Sequence, residues 1–121
     1  PEVKMIVLEK EKVEKNLYRV TVRLTNTGAV PSISYHSITE KIHEQDILKL
    51  SGKQIKVISG GKVIDPYTGK VAYKEYKPEV QFLQVPGFGK VDYQFLVTGK
   101  GEMVLEYSSL KAGKQTLKTG L

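Results

Sequence analysis

The run from Leu17 to Ser32, LYRVTVRLTNTGAVPS, limits what this chain can fold into more than any other stretch. Tyr18, Val20, Val22 and Leu24 alternate with Arg19, Thr21, Arg23 and Thr25. Successive side chains of a strand point to opposite faces, so this pattern predicts one dry face and one wet face. Asn26-Thr27-Gly28 then predicts a corner. Asn26 is able to bond its own backbone, and Gly28 is expected at positive φ. Pro31 fixes φ and lacks a donor, so the strand cannot simply resume.

A second clear two-faced strand is Val91, Tyr93, Phe95 and Val97, alternating with Asp92, Gln94, Leu96 and Thr98. The two apolar rows are expected to face the same interior. Val3 to Lys10 reads as a first strand, forming a bulged hairpin with Leu17 onward. After Pro31, Ser32 or Ser34 is placed to cap a short helix over about Tyr35 to Gln45, with Tyr35, Ile38 and Ile42 on one face. Gln54 to Ser59 reads as a strand, Gly60-Gly61 as a tight hairpin, and Asp65-Pro66-Tyr67-Thr68-Gly69 as a second turn. Lys70 to Tyr76 has weak sidedness, as a lysine-bearing edge strand would. Val80 to Val85, Glu102 to Ser108 and Gln115 to Leu121 complete the set. About seven or eight short strands, with turn signals every roughly 8–12 residues, predict a two-sheet antiparallel sandwich of immunoglobulin-like type carrying one short helix after the second strand; a closed barrel is the alternative.

At 121 residues the chain is one domain in size. A chain of that length buries roughly two-thirds of its unfolded surface, enough for a core without staples. With no cysteine, disulfides, thiol nucleophiles and cysteine zinc sites are excluded. No apolar run approaches the roughly 18 residues that would cross a bilayer, and no signal peptide is evident. Pro1 in place of an initiator methionine reads as the start of a processed or excised segment. The net charge is +6, but only Arg19 and Arg23 of the 19 basic residues are arginine. Nucleic-acid readers cluster arginine on one face, whereas lysine here is scattered among glutamates, so no specific nucleic-acid partner is expected.

His36, Glu40 and His43 fall at i, i+4 and i+7, which a helix would place on one side. The helical zinc motif His-Glu-x-x-His is absent, because Ile47 stands where its second histidine would be. The two histidines would sit about 10 Å apart along a helix axis, too far to share one metal. Gly87-Phe88-Gly89-Lys90 lacks the spacing of a phosphate loop. Ser108-Ser109 beside Lys111 matches no serine-nucleophile motif. Tyr35, Tyr67, Tyr73, Tyr76, Tyr93 and Tyr107 raise the question of an aromatic carbohydrate platform, although at strand spacing such residues usually pack into a core or on a sheet face. No catalytic, cofactor-binding or metal-binding residue is therefore assigned, and no cofactor is expected in this chain.

Three segments carry a family resemblance: Leu17 to Ser32, Val91 to Gly99 (VDYQFLVTG) and Val104 to Leu121 (VLEYSSLKAGKQTLKTGL). They resemble the C-terminal β-sandwich domain of bacterial zinc carboxypeptidases of the M14 family. The shared marks are Tyr18, Asn26, Gly28 and Pro31, then Ser109, Lys111, Ala112 and Gly113; Phe95 stands where that family has tryptophan. The resemblance implies a non-catalytic C-terminal accessory domain of a secreted or periplasmic peptidase, with zinc held by an upstream catalytic domain. Such a domain would pack on that catalytic domain, space it from the envelope, or engage a peptide or glycan. The alternative is a free-standing immunoglobulin-like binding module for carbohydrate or protein. A large solvent-facing aromatic row would favour the module, and an apolar patch beside the N-terminus would favour docking to a lost domain.

Overall fold

The structure, a computed structural model, describes residues 1–30, 32, 34–37 and 42–121, and for 34–37 and 42–44 it describes backbone alone. The two alternating stretches form neighbouring strands. β1 (Val3–Glu14) and β2 (Leu17–Asn26) make a hairpin with irregularities between Val7 and Glu9 and between Lys12 and Glu14. Asn16 closes its turn at φ 60°, a conformation asparagine tolerates better than most residues.

β3 (Ser34–Ser37) and β4 (Ile42–Glu44) form a separate two-stranded ribbon, followed by β5 (Asp46–Ser51), β6 (Ile55–Asp65), β7 (Lys70–Tyr73), β8 (Val80–Leu83), β9 (Lys90–Gly99), β10 (Glu102–Ser109) and β11 (Gly113–Gly120). One sheet has the order β1-β2-β9-β6-β7 and the other β11-β10-β5-β8, with antiparallel pairing throughout. The chain is an all-β two-sheet sandwich.

The expected register of the core is observed. Tyr18 lies opposite Val97, Val20 opposite Phe95, Val22 opposite Tyr93 and Leu24 opposite Val91. All of these are buried except the half-buried Tyr18. Leu48, Leu50, Leu83, Met103, Leu105 and Tyr107 meet them from the facing sheet. Burying each such side chain contributes about 1.5–3 kcal/mol, which is what holds the two layers together. On the outer face, Thr21 is also buried, and its hydroxyl accepts from Gln94 Nε2.

Asn26, Gly28, Ser32 and Ser109 meet at one end of the sandwich, while Tyr18 stands at the other end of β2. Asn26 is 1% exposed and uses its whole amide. Its Oδ1 accepts from the N–H groups of Gly28 (2.9 Å) and Glu2 (3.1 Å), and its Nδ2 donates to the carbonyls of Val30 (2.8 Å) and Val85 (3.3 Å). Ser32 Oγ accepts from Val85 N–H, Ser109 Oγ donates to Ser32 O, and Ser109 Oγ accepts from Ala112 N–H. Beneath them the Tyr107 hydroxyl donates to Asp46 Oδ2 at 2.5 Å, both groups being buried. Burial, then the Asp46 bond, pushes the Tyr107 phenol above its ordinary range. These motifs tie the N-terminus, the corner and two loops together.

Three expectations are corrected. The short helix over Tyr35–Gln45 does not form, because Ser34–Ser37 and Ile42–Glu44 pair as strands with Tyr35 opposite His43. The segment is rich in Ser, Thr and Ile, which either compete for backbone bonds or lose side-chain freedom in a helix. Residues 38–41 of the expected helix lie outside the described residues. Secondly, Gly60-Gly61 is not a hairpin but the middle of the unbroken β6. A Cβ on Gly60 would meet Phe95 and the Pro78 carbonyl, and one on Gly61 the Ala72 carbonyl, so glycine here answers close packing on both faces. Thirdly, Gly28 does not have positive φ. A Cβ there would lie 3.1 Å from Pro1 Cα and 3.2 Å from Glu2 N, so the N-terminus requires the glycine.

Candidate functional site

The two open sides of the sandwich are treated differently. On the β1/β11 side the sheets are stapled edge to edge. The Gln115 amide donates to Val3 O and accepts from Met5 N–H, while Lys10 Nζ donates to Thr119 Oγ1 (2.8 Å) and Gly120 O (2.7 Å). Side-chain amide and ammonium groups thus satisfy backbone that would otherwise be a bare strand edge.

The β7/β8 side presents aromatic rings instead. Tyr67 is 98% exposed, Tyr76 74%, Tyr73 62% and Phe82 51%. All four come from one stretch that makes the β6–β7 turn, strand β7, the crossing to the second sheet, and β8. Lys74 holds that crossing: its Nζ donates to Val80 O at 2.7 Å and sits 4.8 Å from the Phe82 ring centroid. Lys77, at φ 46°, places its Nζ 5.4 Å from the Tyr76 ring centroid. A cation over a ring face is attracted by the ring quadrupole, so the lysines orient these rings without covering them from solvent.

The turn that presents Tyr67 is built by its sequence. Asp65 Oδ1 accepts from Tyr67 N–H at 2.9 Å and Thr68 N–H at 3.4 Å, Pro66 sets φ, and Gly69 at φ 75° donates to Asp65 O. The Tyr67 N–H holds the Asp65 carboxyl below the usual carboxylate range. Next to this turn lies a cleft of about 320 Å3 walled by Lys62, Val63, Pro66, Gln84, Pro86 and Lys90 over Val91 and Asp92. Asp92 is bound bidentately by Arg23 (Nε to Oδ1 2.8 Å, Nη2 to Oδ2 2.9 Å), an arrangement that raises the Arg23 pKa. At the opposite end a shallower hollow of about 600 Å3 is lined by the β5–β6 and β9–β10 loops, including Lys53 and Lys100.

The candidates raised by the sequence separate clearly. Tyr93 and Tyr107 are core residues, whereas Tyr67, Tyr73 and Tyr76 share the exposed margin; the Tyr35 side chain lies outside the described residues. His36 and His43 stand on paired strands rather than two helical turns apart, their side chains are not described, and Glu40 lies outside the described residues. Among the described residues, no group of three or more His, Asp or Glu is placed to hold a metal. Ser109 caps its own loop through Ala112 N–H. Gly87-Phe88-Gly89 is a turn packed on the corner, with Phe88 N–H donating to Gly28 O and Gly89 N–H to Pro86 O. Sequence reading missed Lys74 and the cleft; the Lys-Glu-Tyr-Lys-Pro run and the Asp-Pro-Tyr turn are the signals that mark them.

Residues 2–119 match the family described as domain of unknown function DUF8731. The chain belongs to that family. No curated protein matches this DUF8731 chain in sequence. Among solved structures it is similar to the cupredoxin domain of amoB from Nitrosocaldus yellowstonii, at 16% identity and a TM-score of 0.46 over 88% of this chain and 53% of that one. It thus spans about half the length of that chain. It is also similar to Northeast Structural Genomics Consortium target SoR45, at 16% identity and a TM-score of 0.34 over 99% of this chain and 81% of that one. Among the described residues no helix is long and apolar enough to cross a membrane.

Proposed function

We propose that this chain is a non-catalytic binding module whose contact surface is the β7/β8 margin. The observation that carries the reading is the concentration of exposed aromatics: Tyr67, Tyr73, Tyr76 and Phe82 are all exposed on the side whose edges lack the Gln115 and Lys10 staple. Phe88, on the corner loop, is the one other exposed ring among the described residues. Single exposed apolar residues are ordinary on a protein surface, but four exposed rings within one 16-residue stretch concentrate contact area along this margin, Tyr73 on the outer face of one sheet and Phe82 on that of the other. Tyrosine supplies large contact area at low entropic cost, with a hydroxyl at its tip. Retention of the chain on a panel of immobilised polysaccharides and peptides tests this. Retention lost in Tyr73→Ala and Tyr76→Ala, with unchanged melting temperature, supports the reading; undiminished retention refutes it.

A second reading sets the module in a larger protein, as the accessory domain of a secreted or periplasmic M14-like carboxypeptidase whose zinc lies in an upstream domain. It draws on the sequence resemblance and on Ile6 and Leu8, which stand exposed on β1 beside the N-terminus as a docking patch would. An upstream coding sequence carrying His-x-x-Glu and a later His supports this setting; an upstream sequence without them refutes it.

A further inference from the structure

We propose that the cleft between the β6–β7 turn and the loop after β8 binds the carboxylate of a sugar acid, making the ligand an acidic polysaccharide. This rests on the reading of the β7/β8 margin as a binding surface and names what that surface takes.

The electrostatics of the cleft are one-sided. Among the described residues Asp92 is its only lining acid, and both of its oxygens are already held by Arg23. Lys62 and Lys90 have no ion-pair partner among the described residues. With the Asp92 charge matched by Arg23, the two lysines of the rim remain uncompensated. An ammonium pair attracts an anion, and it does so more strongly in a recess than on an open face.

Size and wall chemistry restrict that anion. A volume of about 320 Å3 is at the small end of ligand pockets, room for one ring-sized group. Pro66 and Pro86 make rigid walls and Val63 and Val91 an apolar lining, so little ordering is needed on binding. The exposed Gln84 amide on the wall is available to a hydroxyl or carboxylate. A small apolar-walled recess with two cations and an amide suits a ring bearing one carboxylate.

The neighbourhood favours a glycan over a peptide. Pro66 walls the cleft, and the next residue is Tyr67, almost wholly exposed. An exposed tyrosine ring offers a flat face for the sugar ring next to the one in the cleft. An added peptide strand would need a free edge. Lys74 already occupies the Val80 carbonyl of β8, and β7 is four residues long with Lys70 at its start and Lys74 just beyond its end, the features by which proteins blunt edges.

The test is isothermal titration of the intact chain with trigalacturonate, its methyl ester, and a polyglutamate of equal charge. The expected result is binding of trigalacturonate, weakened about tenfold or more by methyl esterification and by the double variant Lys62→Gln, Lys90→Gln, as loss of charge-assisted bonds implies. The control pair Lys12→Gln, Lys118→Gln should leave affinity within about twofold, as screened exposed charges do. Equal affinity for acid and ester overturns the cleft proposal while leaving the margin reading intact. Equal losses in the two lysine pairs, or polyglutamate binding as tightly as trigalacturonate, reduce it to nonspecific polyanion attraction and overturn it.

Discussion

Asn26→Ala is the substitution on which the architecture of the loop end depends most. The Asn26 amide makes four hydrogen bonds, to Glu2, Gly28, Val30 and Val85, at 1% exposure. A net contribution of about 0.5–1.5 kcal/mol each gives roughly 2–6 kcal/mol in all. The Val85 carbonyl also accepts from Ser32 N–H, and Glu2 and Val30 are exposed, so water and protein replace part of the loss. The expected destabilisation is therefore about 3 kcal/mol, a large share of the ~5–15 kcal/mol typical of a domain. Asn26→Asp is the sharper variant. It keeps an acceptor for Gly28 and Glu2 but turns a carboxylate oxygen toward two carbonyls. That raises the folded-state pKa of the new carboxyl, so the variant is most stable at a pH below the ordinary aspartate value and loses stability as pH rises through the raised one. Urea denaturation at pH 7 and near pH 4 reads both effects. An Asn26→Ala variant within about 0.5 kcal/mol of the parent, or an Asn26→Asp variant that gains nothing on acidification, refutes the reasoning.

Two further outcomes follow from the core. Val22→Asp puts an unpaired carboxylate between Tyr93 and the facing sheet and should abolish cooperative unfolding, whereas Thr116→Asp on the exposed face of β11 should not; equal melting temperatures contradict the register. Burial pushes the Tyr93 phenol up to about 12 from 10.0, so the folded state resists its ionisation. Stability contributed by neutral Tyr93 is complete below pH 10 and lost as pH rises toward 12, by roughly 2–3 kcal/mol from the two-unit shift. Melting between pH 8 and 11.5 should show this loss in the parent and a smaller one in Tyr93→Phe; parallel curves contradict it.

The fold was legible where local pattern and tertiary environment agree. β2 and β9 each have one buried face against a sheet, and their period-2 alternation therefore states the register directly. β6 misled because Gly60 and Gly61 are demanded by Ala72, Pro78 and Phe95, residues far along the chain that no local reading connects. Tyr35–Gln45 misled because apolar residues spaced four apart fit a helix as well as a short ribbon. The candidate site was less legible for a similar reason. Tyr73 and Tyr93 both lie in strand patterns, yet Tyr93 sits mid-sheet and Tyr73 on an edge with nothing packed over it. The cleft joins β6, a turn, the loop after β8 and β9, and only the folded chain brings Lys62 and Lys90 to one rim.

Amide chemical-shift mapping of the labelled chain titrated with trigalacturonate tests the binding-margin account most directly. The account predicts shifts concentrated from Lys62 to Tyr76 and from Gln84 to Lys90, saturating together at one affinity. Shifts centred on Asn16, Lys53 and Lys100 at the opposite end, or no shift at millimolar probe, would contradict it.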